Sequence, residues 1–186
     1  PCDRKSKTRM SRRSLLFYNP NTQAALLSRK MDASFDWDDL KRLRDRWPRR
    51  LLVKGLLHPD DAERVVGLGV DAVVVSNHGG RQLDIAPATI DVLPRLDTIK
   101  APIIVDSGIR RGSDIVKAIS LGASAVMIGR TALFGLAVGG EQGVVDVVEL
   151  LRREIDRTQA LLGARTLVRS TSGSFLPDAK GSLGAA

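Results

Sequence analysis

Short apolar runs alternate with polar, glycine-containing stretches along most of this chain. Four of the runs are short and rich in Val, Ile and Leu, which is typical of buried strands. We predict these strands at residues 51–54, 71–75, 102–106 and 124–128. Because polar or glycine residues follow each run, we expect a loop at the end of every strand.

Amphipathic segments between the strands predict helices. The clearest start is His58-Pro59-Asp60-Asp61, where proline and two acids occupy positions that suit the first turn of a helix. Gly67 and Gly69 end that helix, and Gly163 ends the last one. The other predicted helical segments are residues 22–47, residues 87–99 with a break near Pro94, residues 113–121 and residues 143–162.

Strands that alternate with helices every 20 to 30 residues or so indicate parallel βα units. Similar units in tandem favour a barrel, but a closed (β/α)₈ barrel needs eight strands and roughly 250 residues. This chain has 186 residues and four predicted strands. It therefore predicts either an open sheet or the C-terminal half of a TIM (β/α)₈ barrel with a C-terminal helix.

Composition restricts the class of protein. A chain that is 43% hydrophobic and 27% charged is typical of a soluble globular protein. No apolar run reaches the roughly 18 residues of a membrane span, and the N-terminus lacks the apolar core of a signal peptide. We therefore expect a cytoplasmic protein. Cys2 cannot form an internal disulfide, and with only His58 and His78 available we expect no metal site.

The positive charge is concentrated at one end. Residues 1–30 contain eight Lys and Arg residues and one Asp, so that nearly all of the net charge of +8 lies there. We predict a poorly ordered basic leader at 1–30, a folded part at 31–163 and a tail at 164–186. Contact of the leader with acidic lipid or with nucleic acid is the alternative.

The stretch from Ser76 to Asp84 follows the second predicted strand and contains His78-Gly79-Gly80-Arg81. Parallel barrels place catalytic groups at the C-terminal ends of strands. A histidine moves protons near neutral pH, and an arginine binds a carboxylate through two parallel hydrogen bonds. The motif therefore predicts chemistry next to a carboxylate, whereas a loop with one exposed histidine is the alternative.

Two further loops combine glycine and arginine, at residues 106–114 and at Gly129-Arg130. Glycines expose backbone N–H groups, arginines add charged donors, and the helices that follow present their positive ends. These features predict a phosphate site, unless Arg110 and Arg111 merely face solvent. Lys54 at the end of the first strand suits a ligand that gains negative charge, such as a flavin on reduction, although it could simply extend into solvent.

The segments LLVKG, SNHGGRQLD and DSGIRRGSDIVKAISLGASAVMIGR resemble the FMN-dependent 2-hydroxy acid dehydrogenases and oxidases over residues 31–163. Together with Met31 to Phe35 and Trp37 they most resemble the bacterial (S)-mandelate and L-lactate dehydrogenases. The resemblance implies that His78 is the catalytic base and that Arg81 binds the substrate carboxylate. It assigns FMN contacts to Lys54, Ser76, Asp106, Ser107, Gly108, Arg110, Gly129 and Arg130.

The same resemblance implies oxidation of an L-2-hydroxy acid to the 2-oxo acid, with the electrons passing from FMN to a quinone or another acceptor. It also implies a homo-oligomer, with contact at the inner face of the cell membrane as an option. The first half of the family, which includes active-site tyrosines and an aspartate that orients the histidine, has no recognisable counterpart, and Tyr18 is the only tyrosine. We therefore expect a truncated form.

Three alternatives remain open from the sequence. A non-catalytic FMN- or phosphate-binding module would keep the loops without turnover. A nucleic-acid-binding protein would use the basic leader, although we expect no nucleic-acid partner. Another FMN barrel, such as inosine monophosphate dehydrogenase, would need a cysteine in a catalytic loop, and Cys2 is misplaced for that role.

Overall fold

The structure, a computed structural model, describes residues 34–167. The predicted basic leader, with Cys2 and Tyr18, and all but the first residues of the predicted tail lie outside this range. The chain divides into two compact units, Pro1–Leu43 and Arg44–Ala186. In the described part of the first unit, helix α1 (Trp37–Arg46) begins. Its start is capped because Asp36 Oδ1 accepts the N–H groups of Asp38 and Asp39 at 3.0 and 2.9 Å.

The second unit is a succession of βα units. Its remaining elements are β1 (Leu52–Leu56), α2 (Pro59–Gly67), β2 (Ala72–Val75), a 3₁₀ turn (His78–Gly80), α3 (Thr89–Val92), a second 3₁₀ turn (Leu93–Leu96), β3 (Ile103–Val105), α4 (Gly112–Ser120), β4 (Ala125–Val126) and α5 (Arg130–Leu162). All four predicted strands are present, with β3 and β4 shorter than expected. The predicted break near Pro94 corresponds to the change from α3 to the second 3₁₀ turn.

The four strands form one parallel sheet in the order β1-β2-β3-β4. All four residues of β2 are buried, as expected for an inner strand of a parallel sheet. The core lies between the sheet and its helices, and its fully buried side chains include Val73, Val75, Val105, Val65 and Val116. Burial of each valine stabilises the fold by about 1.5–3 kcal/mol. The prediction of parallel βα units is confirmed.

A local irregularity in β1 directly follows Lys54. The register between β1 and β2 pairs Lys54 with Val74 but then shifts before Leu56. Gly55, which lies in between, has φ 103, a value that side-chain-bearing residues rarely adopt. The bulge is therefore the point at which β1 leaves the regular ladder, directly after the lysine.

Helix α5 consists of two segments. Gly139 and Gly140 have non-helical backbone angles, and a Cβ on Gly135 would collide with the carbonyl oxygen of Gly143. Residues eight positions apart in a straight helix are separated by about 12 Å, so the chain must fold back at the glycine pair. The second segment corresponds to the helix predicted at 143–162, whereas the segment before the break was not predicted.

By length and composition, α5 is the one helix within residues 34–167 that could cross a membrane, with a mean hydropathy of 1.2 over its most apolar 18 residues. A membrane span of this kind contains at most two Asp, Glu, Lys or Arg residues in 18. Every 18-residue stretch of α5 that meets this condition includes Gly139 and Gly140. Because the chain folds back there, that apolar stretch is not a continuous helix.

Candidate active site

The loop that contains His78 begins where β2 ends. His78 has φ 55, and its backbone N–H donates to Ser76 Oγ at 3.1 Å. The N–H of Gly79 donates both to Asn77 Oδ1 and to Ser107 Oγ, each at 2.9 Å. Side-chain oxygens therefore hold the backbone on both sides of the histidine, while its ring is exposed.

Lys54, Ser76 and Asp106 form a hydrogen-bonded cluster at the ends of β1, β2 and β3. Lys54 Nζ donates to Ser76 Oγ at 2.7 Å and forms an ion pair with Asp106. Ser76 Oγ in turn donates to Asp106 Oδ2 at 2.8 Å. The sequence predicted that these three residues share one site, and the structure brings them together.

The charge state of Asp106 follows from this cluster. Partial burial alone would raise the pKa of its carboxyl group. Hydrogen bonds from Lys54, Ser76 and the backbone N–H of Ser107 outweigh that effect, so the pKa lies below the ordinary value. Asp106 is therefore an anion at neutral pH, and its ion pair holds the Lys54 side chain in place beside it.

A cleft of about 590 Å³ opens beside the cluster. Eight of the ten predicted site residues line it, namely His78, Arg81, Asp106, Ser107, Gly108, Arg110, Gly129 and Arg130. The other two, Lys54 and Ser76, are bonded to Asp106 at its edge. The residues predicted to transfer a proton, to bind a carboxylate and to bind a phosphate thus line one cleft.

Part of the cleft wall was not predicted. Met127, Leu133 and Phe134 line it from the end of β4 and the first turns of α5. Leu133 and Phe134 are 60% and 67% exposed. The first segment of α5 was missed because glycines interrupt its apolar pattern. These side chains give the cleft an apolar part of its wall.

The arginines of the cleft differ in their partners. Arg130 donates through Nη2 to the carbonyl oxygen of Gly79 at 3.0 Å, which connects the start of α5 to the histidine loop. In contrast, the side chains of His78, Arg81 and Arg110 make no hydrogen bond or ion pair with any residue from 34 to 167. These three groups are available to a ligand.

The N-terminus of α4 does not match the prediction. Asp114 Oδ2 accepts the N–H groups of Arg110 and Arg111 at 3.0 and 2.9 Å, and Glu154 Oε2 accepts that of Gly112 at 2.7 Å. Two carboxylates thus bind three of the N–H groups at this helix end, which leaves fewer of them for a phosphate than the sequence predicted. Arg111 forms an ion pair with Glu154 at 2.8 Å.

Sequence reasoning missed Glu154 because it lies 42 residues after Gly112 and no local motif connects the two. The N–H of Gly112 and the Arg111 guanidinium lower the pKa of the Glu154 carboxyl group. Asp114, by contrast, lies three residues after Arg111, a spacing typical of a capping box, and could have been found.

Comparisons with known proteins agree with this geometry. The family model described as "FMN-dependent dehydrogenase" matches residues 3–175. The match extends beyond residues 31–163 at both ends and includes most of the predicted basic leader. (S)-mandelate dehydrogenase from Pseudomonas putida is 56% identical over 142 residues, which cover 76% of this chain and 36% of the relative. L-lactate oxidase from Nostoc sp. is 48% identical over 80% of this chain and 41% of the relative.

A solved structure described as the "monotopic membrane protein (S)-mandelate dehydrogenase" superposes with a TM-score of 0.73 at 53% identity. The superposition covers 80% of this chain and 41% of that one. The chain thus spans about two fifths of the length of the relatives it matches. The predicted fold class, the C-terminal half of a TIM (β/α)₈ barrel, is confirmed.

The chain therefore belongs to the FMN-dependent dehydrogenase family, and its relatives are FMN-dependent 2-hydroxy acid dehydrogenases and oxidases.

Proposed function

We propose that this chain provides the FMN-binding site and the catalytic base of an enzyme that oxidises an L-2-hydroxy acid, mandelate-like or lactate-like, to the 2-oxo acid. The main support is that His78 and Arg81 line the same cleft as Arg110 and Arg130. The residues that would transfer a proton, bind a carboxylate and bind a phosphate thus line one cleft. The chain also belongs to the FMN-dependent dehydrogenase family, which has this chemistry.

The residues present fit FMN. A volume of about 590 Å³ lies within the range of roughly 300–1,000 Å³ found for small-molecule sites. A Cβ placed on Gly108 or Gly129 would have no atom within 4 Å, so the backbone at both positions is open to the cleft. These glycines, with the Arg110 and Arg130 side chains, would hold the phosphate. Lys54 and its partners would hold the flavin end, where a cation suits a group that becomes anionic on reduction.

When bound, FMN supplies an acceptor for two electrons from the substrate. Oxidation of a 2-hydroxy acid also releases two protons, one from the carbon and one from the hydroxyl group. His78 takes one of them, and the other would leave together with the two electrons to the bound flavin. The exposed His78 ring, without a described partner, is free to take its proton. The Arg81 guanidinium binds the substrate carboxylate through two parallel hydrogen bonds and so orients the 2-hydroxy carbon.

The proposal includes an electron acceptor, such as a quinone, that reoxidises the flavin. It also places the protein in the cytoplasm or at the inner face of the cell membrane, as a homo-oligomer. Membrane contact is supported by the description of one similar structure as a monotopic membrane protein and by the basic residues concentrated in 1–30. A vesicle sedimentation assay with anionic and neutral lipids tests this part separately.

An FMN- or phosphate-binding module without turnover is the second candidate. It is favoured by one observation: no carboxylate among residues 34–167 bonds the His78 ring. Such a carboxylate fixes the tautomer of a catalytic histidine and stabilises its charged form. Flavin binding without substrate-dependent bleaching of the flavin absorbance would favour this candidate.

The test compares three variants. His78→Gln should keep FMN affinity and abolish flavin reduction by (S)-mandelate or L-lactate, because the base acts in the chemical step. Arg81→Lys should mainly weaken substrate binding, since an ammonium cannot form the planar pair of hydrogen bonds. His58→Gln is the matched control, because this histidine caps α2 and does not line the cleft.

Binding is measured by FMN titration of the 186-residue chain. Reduction is followed by anaerobic stopped-flow absorbance in a fusion in which the first half of a family member precedes the chain. Rates close to wild type in His78→Gln would exclude the assigned role of this residue. Failure of the wild-type chain to bind FMN would contradict the proposed function as a whole.

A further inference from the structure

Two residues in the site have unusual backbone conformations. His78 and Ser107, with φ 55 and 76, are the non-glycine residues with positive φ within residues 34–167. L-residues avoid this region because Cβ crowds the neighbouring carbonyl group. Such conformations persist where surrounding contacts hold them, and they are concentrated at functional sites. Here Ser107 Oγ accepts a hydrogen bond from the N–H of Gly79, the residue that follows His78.

The peptide groups on either side of His78 are each held by a serine hydroxyl. On the N-terminal side, the His78 N–H donates to Ser76 Oγ at 3.1 Å. On the C-terminal side, the Gly79 N–H donates to Ser107 Oγ at 2.9 Å. The two hydroxyl oxygens are 3.4 Å apart. Together they restrain both peptide planes from which the imidazole side chain projects.

The contact with Ser107 differs from the other contact of the same N–H. Asn77 Oδ1 also accepts from Gly79, but it lies two residues away and forms a local turn that needs no other part of the fold. Ser107 lies 28 residues further along the chain, after β3. It is itself held because its carbonyl oxygen accepts from Thr89 Oγ1 at 3.1 Å. The hydroxyl of Ser107 therefore fixes the histidine loop relative to the next strand.

We propose that Ser107 is a positioning residue for His78, in which the serine hydroxyl fixes the peptide group between His78 and Gly79 and so sets the direction of the imidazole in the cleft. Glycine would adopt φ 76 without steric cost, so the backbone alone does not require a serine. The hydroxyl group is what the serine adds. The inference rests on the proposed function, in which His78 is the base.

Two substitutions separate positioning from stability. Ser107→Ala and Ser107→Gly both remove the hydroxyl, but only Ser107→Gly also removes the Cβ that crowds the left-handed backbone. We expect Ser107→Ala to be less stable than wild type and Ser107→Gly to be as stable or more so. Both should change the behaviour of His78 to a similar extent. Ser124→Ala is the matched control, because Ser124 is exposed and its side chain has no described hydrogen bond.

The readouts are thermal unfolding, FMN affinity and the imidazole NMR signals of the 186-residue chain. The sequence has two histidines, so His78→Gln assigns the signals. We expect both Ser107 variants to shift or broaden the His78 signal and to leave the His58 signal unchanged, whatever their effect on FMN affinity, since Ser107 also lines the cleft. In the fusion with a family first half, flavin reduction should slow by about fivefold, the factor that one ordinary hydrogen bond contributes.

A His78 signal and a reduction rate that are unchanged in Ser107→Gly would overturn the positioning role. Effects in Ser107→Ala that are absent from Ser107→Gly would also overturn it, because they would follow stability rather than the hydroxyl. Reduction that persists in His78→Gln would instead refute the role of the base. The two failures are therefore distinguishable.

Discussion

The two glycine-arginine loops look alike in the sequence but differ in the structure. In the loop before α4, residues 106–111, carboxylates of Asp114 and Glu154 bind the N–H groups at the start of the helix. In the loop before α5, residues 127–129, no side chain from residues 34–167 caps the helix, and Gly129 opens onto the cleft. An anion can use only donors that are not already taken. We therefore propose that the phosphate binds at the start of α5.

The two arginines that follow β3 differ in the same way. Both line the cleft, but Arg111 is paired with Glu154, whereas the Arg110 side chain has no described partner. The α4 loop thus has a mostly structural role, which is to dock α4 on α5, and Arg110 is its one arginine without a described partner. The comparison predicts that equivalent substitutions in the two loops have different effects.

The largest expected difference is in the free energy of unfolding, between the variants Gly112→Ala and Gly129→Ala. A Cβ on Gly112 would lie 2.5 Å from the Leu151 carbonyl oxygen and 2.6 Å from the Ile155 nitrogen, where backbone cannot easily give way. We expect a loss of about 1–3 kcal/mol or more in the free energy of unfolding, as for other overpacked sites. Urea denaturation measures it.

Gly129→Ala is the matched control for stability, because its Cβ would meet no atom within 4 Å. It should unfold at nearly the wild-type urea concentration but bind FMN more weakly, since the added methyl group points into open space beside the cleft. A destabilised Gly129→Ala together with a stable Gly112→Ala would reverse our assignment of the two loops.

The next largest expected effect is on FMN affinity, when an arginine of either loop is replaced by alanine. Arg110→Ala and Arg130→Ala should each weaken FMN binding by about tenfold or more, because charge-assisted hydrogen bonds contribute about 1.5–3 kcal/mol. Arg111→Ala should change the affinity little. Riboflavin, which lacks the phosphate, is the control ligand, and its affinity should not change. Fluorescence titration of both ligands measures the difference, and equal losses for riboflavin would exclude a phosphate role.

Much of the fold could be predicted because the sequence patterns that determine its strands and helices are local. The strands follow from short β-branched runs, and the parallel order follows from the alternation with helices. The two antiparallel segments of α5 could not be predicted in the same way. Their separation depends on the close approach of Gly135 and Gly143, and a contact across a turn leaves no periodic pattern.

The prediction of the site from the sequence has the same limit, because contacts between residues distant in sequence could not be predicted. His78, Arg81 and Lys54 could be assigned because His78 and Arg81 follow one recognisable strand and Lys54 ends another. That Ser107 bonds Gly79, and that Glu154 occupies the start of α4, depends on residues that are distant in sequence. The number of positive groups could be predicted, but not which of them are already neutralised by the fold.

The smallest expected effect is the pH dependence of the α4 contact. The Gly112 N–H and Arg111 hold the pKa of Glu154 below its usual value of 4.5. A lowered carboxyl pKa stabilises the fold fully above the unfolded-state pKa, and this contribution is lost as the pH falls through the folded-state value. Glu154→Gln should therefore lower Tm at pH 7 by about 2–4 °C, the shift that about 1 kcal/mol produces in a chain of this size.

Below about pH 4 the difference in Tm between wild type and Glu154→Gln should shrink, since protonated Glu154 no longer binds Arg111 as an ion. Arg111→Ala is the companion variant and should remove part of the same difference. Because Arg111 is 69% exposed, solvent screens this ion pair, and most of the effect should come from the hydrogen bond to Gly112. Differential scanning fluorimetry from pH 3.5 to pH 8 measures all three proteins, and a Tm difference that does not change with pH would show that Glu154 stabilises α4 by packing rather than by charge.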